Sequence, residues 1–101
     1  MANQSVIETA RKYVRTIPED LGVKKAFLFG SYAGGSEREE SDIDIAIILE
    51  NMQDFFVTQK LLMKLRWSID PRIEPHPIKA QDFNSSNPFA IEINRTGIEI
   101  V

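Results

Sequence analysis

From Asp42 to Leu49 the chain reads Asp-Ile-Asp-Ile-Ala-Ile-Ile-Leu, an isoleucine-rich run whose first residues alternate with acids. Successive side chains of a β-strand point to opposite faces, so a strand here sends Asp42 and Asp44 to one side and drives Ile43, Ile45 and Ile47 into a core on the other. Two carboxylates about 7 Å apart, in surroundings of effective dielectric near 20, repel by roughly 2 kcal/mol. A divalent cation removes that repulsion. Magnesium suits the pair, because it is a hard ion that takes a few carboxylate oxygens and completes its shell with water and phosphate. Upstream, an apolar run ends in the small-residue turn Gly30-Ser31. Backbone amides in such a turn can approach a phosphate closely, the more so where a short helix begins. The two features together fit a nucleoside triphosphate carrying magnesium.

The remaining segments supply neighbours for that strand. Ser5 and Glu8 have capping-box spacing, and Ile7, Ala10, Val14 and Ile17 form an apolar stripe, which predicts a first helix ended by Pro18. A strand is expected from about Lys24 to Phe29, as a short apolar run of the kind found inside a sheet, followed by a short helix from about Tyr32. Val57, Leu61 and Leu65, with Phe55, Leu62 and Ile69 at sevenfold spacing, predict a long amphipathic helix from Asp54 to Ile69, stopped by Asp70-Pro71. Arg72 to Ile78 can extend as a third strand. Pro75 and Pro77 cannot donate ladder hydrogen bonds, so this strand belongs at a sheet edge or is short. Asn87 caps a last helix with Pro88 at its first position, and Gly97 closes it before Ile98-Glu99-Ile100-Val101. The order helix, strand, short helix, strand, helix, strand, helix gives an α/β or α+β domain, with helices packed against a small mixed sheet.

At 101 residues the chain is expected to form a single domain, residues 1–101, with one modest core. Twelve basic residues against 15 acidic ones give a net charge of −3, without the basic excess of a protein that grips nucleic acid by its phosphates. Stable nucleic-acid binding is therefore not expected. The chain has no cysteine, which removes disulfides, thiolate zinc sites and cysteine nucleophiles from consideration. Met-Ala-Asn-Gln-Ser lacks the basic start and apolar run of a secretory signal, and no apolar stretch approaches membrane-spanning length. A cytoplasmic protein without a membrane partner is the expectation.

Phe29-Gly30-Ser31, ten residues, then Asp42-Ile43-Asp44-Ile45 resembles the signature of the DNA polymerase beta-type nucleotidyltransferase superfamily. In size the chain is most similar to the smallest branch, the minimal nucleotidyltransferases of bacteria and archaea, which often serve as the antitoxin partner of a HEPN-domain ribonuclease toxin. The resemblance spans almost the whole chain and implies the nucleotidyltransferase fold. It also implies roles: Asp42 and Asp44 as ligands of a two-ion magnesium site, and Gly30 and Ser31 as the nucleotide-binding pair that cradles the triphosphate. A third carboxylate on a neighbouring strand completes the set in active members. Glu74 is preferred for it, because it lies within the third strand on the same side as Arg72 and His76; Asp70 reads instead as a turn residue before a proline.

The implied reaction is magnesium-dependent transfer of a nucleoside monophosphate, AMP from ATP, to a hydroxyl, with a tyrosine of a HEPN-type toxin as acceptor and antitoxin action as the result. A short chain with little room for an acceptor-binding domain agrees with an acceptor supplied by a partner protein. One departure stands out. Active relatives commonly carry an arginine where this chain has Gly34, and Arg38, among Glu37, Glu39 and Glu40, reads as part of a solvated charged loop. The alternative function is accordingly a binding module that neutralises its toxin by occlusion, with catalysis weak or absent. Small-molecule nucleotidylation ranks last, since it usually needs an added domain.

Other residues have plainer readings. Ser41 is read as structural. His76, the one histidine, has the chemistry of a base or a metal ligand, yet a partly exposed strand position explains it as well. For Trp67, Phe55 and Phe56 core packing is the default and a partner surface the sharper alternative. Tyr13 and Tyr32 are possible self-acceptors that no motif selects.

Overall fold

The computed structural model describes residues 4–30, 33 and 42–101. The expected Tyr32 helix, together with Ser31, Gly34, Arg38 and Ser41, lies outside those residues. In chain order the elements are α1 (Gln4–Arg15), β1 (Val23–Phe29), β2 (Ile43–Leu49), α2 (Phe55–Leu65), β3 (Ile73–Lys79), α3 (Pro88–Thr96) and β4 (Ile98–Glu99), with 3-10 turns at Glu19–Leu21, Arg66–Ser68 and Ala80–Asp82. The sheet order is β3-β2-β1-β4. β1 runs antiparallel to β2 and β4, whereas β2 and β3 are parallel. The mixed α/β architecture expected from the sequence is the one observed.

Each face of the sheet is covered by the residues that strand alternation assigns to it. Ile43, Ile45, Ile47 and Leu49 of β2, Ala26 and Leu28 of β1 and Ile73 of β3 pack with Val6, Ala10, Tyr13 and Val14 of α1 and Leu62 of α2. On the opposite face Phe27, Ala46 and Ile48 meet Ile93 of α3, with Phe29, Ile78 and Phe83 packed around them. Asp44 shares the parity of Ala46 and Ile48 and so lies on the α3 face, with the isoleucines behind it.

β3 is the edge strand, as its prolines require. Ile43 donates its N–H to the Arg72 carbonyl at 2.8 Å. The odd residues of β3 therefore turn their backbone groups outward. Pro75 and Pro77 bring no N–H to that edge, and the Ile73 N–H is taken by the Asp70 carbonyl at 3.1 Å. The outward carbonyls of Ile73 and Pro75 accept from Arg66 Nη1 at 3.1 Å and Gln59 Nε2 at 3.2 Å. An edge so occupied offers little to an incoming strand.

Three expectations need correction. Ser5 falls inside the first turn of α1 and cannot be its cap, while Glu8 faces Arg11 at 3.4 Å; the helix starts earlier than the capping spacing suggests. The α2 stripe is also displaced. Its buried residues are Thr58 and Leu62, with Leu65 and Ile69 packed alongside, whereas Phe55 and Val57 are exposed. α2 carries more apolar residues than one face can bury, and periodicity alone does not say which line meets the sheet. The last residues, read only as a tail, form β4: Ile100 donates to the Ala26 carbonyl at 2.8 Å. Asn87 caps α3 with its side chain as expected; Asp54, expected as the first residue of α2, is its side-chain cap, and the α-helix ends at Leu65, a 3-10 turn at Arg66–Ser68 carrying the chain on to Ile69. Among the described residues no helix is long and apolar enough to cross a membrane.

Tyr13 is fully buried and donates its hydroxyl to the Leu62 carbonyl at 2.6 Å, which ties α1 to α2 and closes this tyrosine to any self-reaction. Burial holds its ionisation well above the ordinary phenol range, with the Arg66 charge acting weakly against it. Above about pH 10 the unfolded chain releases this proton and the folded chain keeps it, so stability is full below pH 10 and falls as pH rises, by up to about 1.4 kcal/mol per unit. Tyr13→Phe is expected to cost about 1 kcal/mol near pH 8 and to flatten that alkaline loss, as urea unfolding at pH 8 and pH 11 will report.

Candidate active site

The end of the sheet where β1 finishes and β2 and β3 begin gathers the acidic residues. Asp42 stands exposed immediately before β2, and Asp44, its second residue, is half-buried. Asp44 is paired in register with Phe29 of β1 on one side and Glu74 of β3 on the other. The parallel pairing of β2 with β3 thus sets two carboxylates side by side on the α3 face.

Gly30 closes the site from the β1 side. Its φ of +74° is a left-handed conformation that side chains disfavour, and a Cβ placed there would collide with Asp44 Oδ2. The turn residue therefore lies directly against the acid, with room for a carboxylate only because no side chain is present. Ser31 and the rest of the expected cradle lie outside the described residues.

The two candidates for the third acid have different surroundings. Asp70 sits in the turn before β3 and is committed to Arg72: its Oδ1 accepts the Arg72 backbone N–H at 2.9 Å, and its Oδ2 accepts from the guanidinium at 2.8 Å. Hydrogen bonding to Arg72 holds its carboxyl below the usual carboxylate range, against the opposing effect of burial. Glu74 is half-exposed and only loosely held, with Oε2 3.9 Å from Arg66 Nη1. It has the freer carboxylate and the closer alignment with Asp44.

His76 enters the site more directly than its sequence position suggested. Its Nε2 lies 3.1 Å from Asp44 Oδ1, and its ring packs edge-on against Phe29 with centroids 5.0 Å apart. Phe89, from the first turn of α3, meets Phe29 at 5.4 Å and extends this aromatic wall. The signal was present in the parity of β3, where His76 shares the face of Glu74; the contribution of Phe89 depends on how α3 docks and had no local signal. Beside them a cleft of about 240 Å³ is lined by Phe55, Gln59, Glu74, His76 and Phe89, among others.

Among the described residues no three His, Cys, Asp or Glu side chains stand together as a ready-made metal cage. The donor chemistry still fits magnesium. Asp42, Asp44 and Glu74 offer hard oxygen atoms, and this ion is commonly held by one or two carboxylates while substrate phosphates and water complete its shell.

The family model described as "Polymerase beta, Nucleotidyltransferase" matches residues 11–101. The chain belongs to this nucleotidyltransferase family. The nucleotidyltransferase is 31% identical over 96 residues to "Putative protein adenylyltransferase MJ0141" of Methanocaldococcus jannaschii, covering 94% of this chain and 95% of that one. Another protein of the same organism, "Putative protein adenylyltransferase MJ0604", is 39% identical over 66 residues, covering 63% of this chain and 66% of that one. The fold recurs in "Crystal structure of the toxin-antitoxin with AMP-PNP", with a TM-score of 0.68 and 24% identity over 94% of this chain and 72% of that chain. A toxin-antitoxin structure named MntA-HepT gives a TM-score of 0.62 at 21% identity, covering 98% of this chain and 72% of that one. Membership of the family makes nucleotidyl transfer the chemistry of the nucleotidyltransferase.

Proposed function

We propose that residues 1–101 act as a single cytoplasmic nucleotidyltransferase domain that moves AMP from ATP to a hydroxyl, that of a tyrosine on a HEPN-type toxin, and so serves as its antitoxin. The observation that carries this reading is the close fit of Gly30 against Asp44, with Glu74 in register beside it. The protein adenylyltransferase names of the relatives and the toxin-antitoxin assemblies that share the fold support the choice of nucleotide and partner.

Asp42, Asp44 and Glu74 are the residues that would hold magnesium, which when bound stabilises negative charge on the entering and departing oxygens. The chain's own groups do the rest. The bare Cα of Gly30 keeps the approach to the turn amides open for triphosphate oxygens, and the Ser31 hydroxyl adds a donor. His76 fixes the orientation of the Asp44 carboxylate through its Nε2 contact. Glu74, with its loosely tied carboxylate, accepts the proton of the acceptor hydroxyl. That oxygen bonds to the α-phosphorus, the bond between the α-phosphorus and the bridging oxygen breaks, and pyrophosphate departs with the electron pair.

The test is to incubate the purified protein with ATP labelled at the α-phosphate, magnesium and the protein encoded by the adjoining gene. Label on a tyrosine of that protein, with its ribonuclease activity lost, is the expected result. An inhibited but unlabelled partner would establish neutralisation by occlusion instead.

A further inference from the structure

Core packing was the default reading for the aromatics of α2, and the structure leaves them in solvent: Phe56 is 80% exposed, Val57 68%, Trp67 67% and Phe55 46%. Phe55 and Phe56 meet edge to face with centroids 5.5 Å apart, and the Arg66 guanidinium lies 5.1 Å from the Trp67 ring centre. Helical spacing sets Phe56 and the half-buried Met63 along one ridge of α2, with the exposed Lys60 and Lys64 beside it, and the exposed Trp67 follows in the 3-10 turn at the end of the helix. No carboxylate among the described residues pairs with either lysine. Large apolar side chains exposed along one element and bordered by charge are the signature of an interaction surface.

The charge selects the occupant. In a two-fold pairing of this helix with a second copy of itself, Lys60 and Lys64 would face their own equivalents, and like charges at close quarters oppose association. The chain carries a net charge of −3, so two basic side chains beside exposed Phe56, Val57 and Trp67 mark out a partner with acidic residues around an apolar ridge. Phe55 gives this surface its functional direction. It belongs to the patch and also lines the cleft that contains Glu74 and His76. Gln59, in the same cleft, keeps Oε1 buried and without a partner among the described residues, an acceptor atom that a group entering from the docked protein can satisfy.

We infer that the outward face of α2, centred on Phe56 and Trp67 and flanked by Lys60 and Lys64, is the docking surface for the acceptor protein, an acidic-rimmed apolar surface that delivers its hydroxyl into the cleft beside Glu74. This rests on the reading of the chain as an enzyme that modifies a partner protein.

Trp67 is the single tryptophan of the chain and reports directly on burial of the surface. The experiment titrates the full chain with the adjoining gene's product, using a tryptophan-free variant of that product, and follows Trp67 emission and calorimetric affinity. Expected are a blue shift on binding, a loss of about 30-fold or more in affinity for Phe56→Glu, and a loss of about tenfold for the Lys60→Glu, Lys64→Glu double variant with a weaker salt dependence. Circular dichroism and melting temperature close to those of the unsubstituted chain will show that the variants fold. Unaltered affinity in the variants overturns the inference, as does failure of the unsubstituted chain to bind, or self-association that Phe56→Glu abolishes. Binding weakened as expected without any label transfer upholds the docking surface and rejects the catalytic reading, so the two outcomes are separable.

Discussion

Asp44→Asn is expected to lower nucleotidyl transfer by roughly 10³-fold, equivalent to about 4 kcal/mol of transition-state stabilisation, while leaving the fold intact. Asp44 sits between Gly30, Glu74 and His76, so its charge faces every other feature of the site. An asparagine keeps the shape and still has an atom to offer His76, but it lacks the negative charge that the proposed magnesium site requires. Stability should move the other way. Replacing one of two carboxylates at alternate positions removes their mutual repulsion in the metal-free protein. The measurement is therefore paired: melting temperature with and without magnesium, and transfer rate. Magnesium should raise the melting temperature of the unsubstituted protein, through preferential binding to the folded state, and do little for the variant. A variant that melts lower than its parent in the absence of metal, or that transfers at the parent's rate, would show that this acid serves structure only.

Gly30→Ala should damage the same site by another route. A methyl group there meets the Asp44 carboxylate and also strains a residue whose φ is +74°. Left-handed backbone costs an alanine about 1–2 kcal/mol, and a displaced carboxylate costs about 10²-fold in rate where geometry must hold to a fraction of an ångström. Gly22 is the control. It too has a positive φ, +66°, and a Cβ there would sit 3.0 Å from Glu50 Cβ, with no contact to Asp44. Gly22→Ala should lose comparable stability with its transfer rate retained. Equal rates in the two variants would show that the contact between Gly30 and Asp44 has no catalytic consequence.

Local patterns carried most of the framework. β2 was legible because its run of isoleucines marks a strand buried on both faces, with Asp44 the one position left partly open. The edge position of β3 followed from two prolines, and Asn87 satisfied helix N–H groups as its side chain allows. Features that depend on tertiary placement were not legible. Phe55, Val57, Leu61 and Leu62 are interchangeable by hydrophobicity, so only the docking of α2 decides that Leu62 is buried and Phe55 is not. Tyr13 was read for its hydroxyl, though it is the largest side chain of the main core. Within the site, Asp44 and Glu74 were found as separate signals. Their alignment comes from the parallel register of two strands that are distant in sequence, and so does the contact of His76 with Asp44.

The occupied outer margin of β3 has a bearing on how this molecule can evolve. With the Ile73 and Pro75 carbonyls engaged and the N–H groups of Pro75 and Pro77 missing there, an incoming chain finds little of a generic ribbon to zip onto along that side. Recognition along that side is left to individual side chains, which single substitutions can retune.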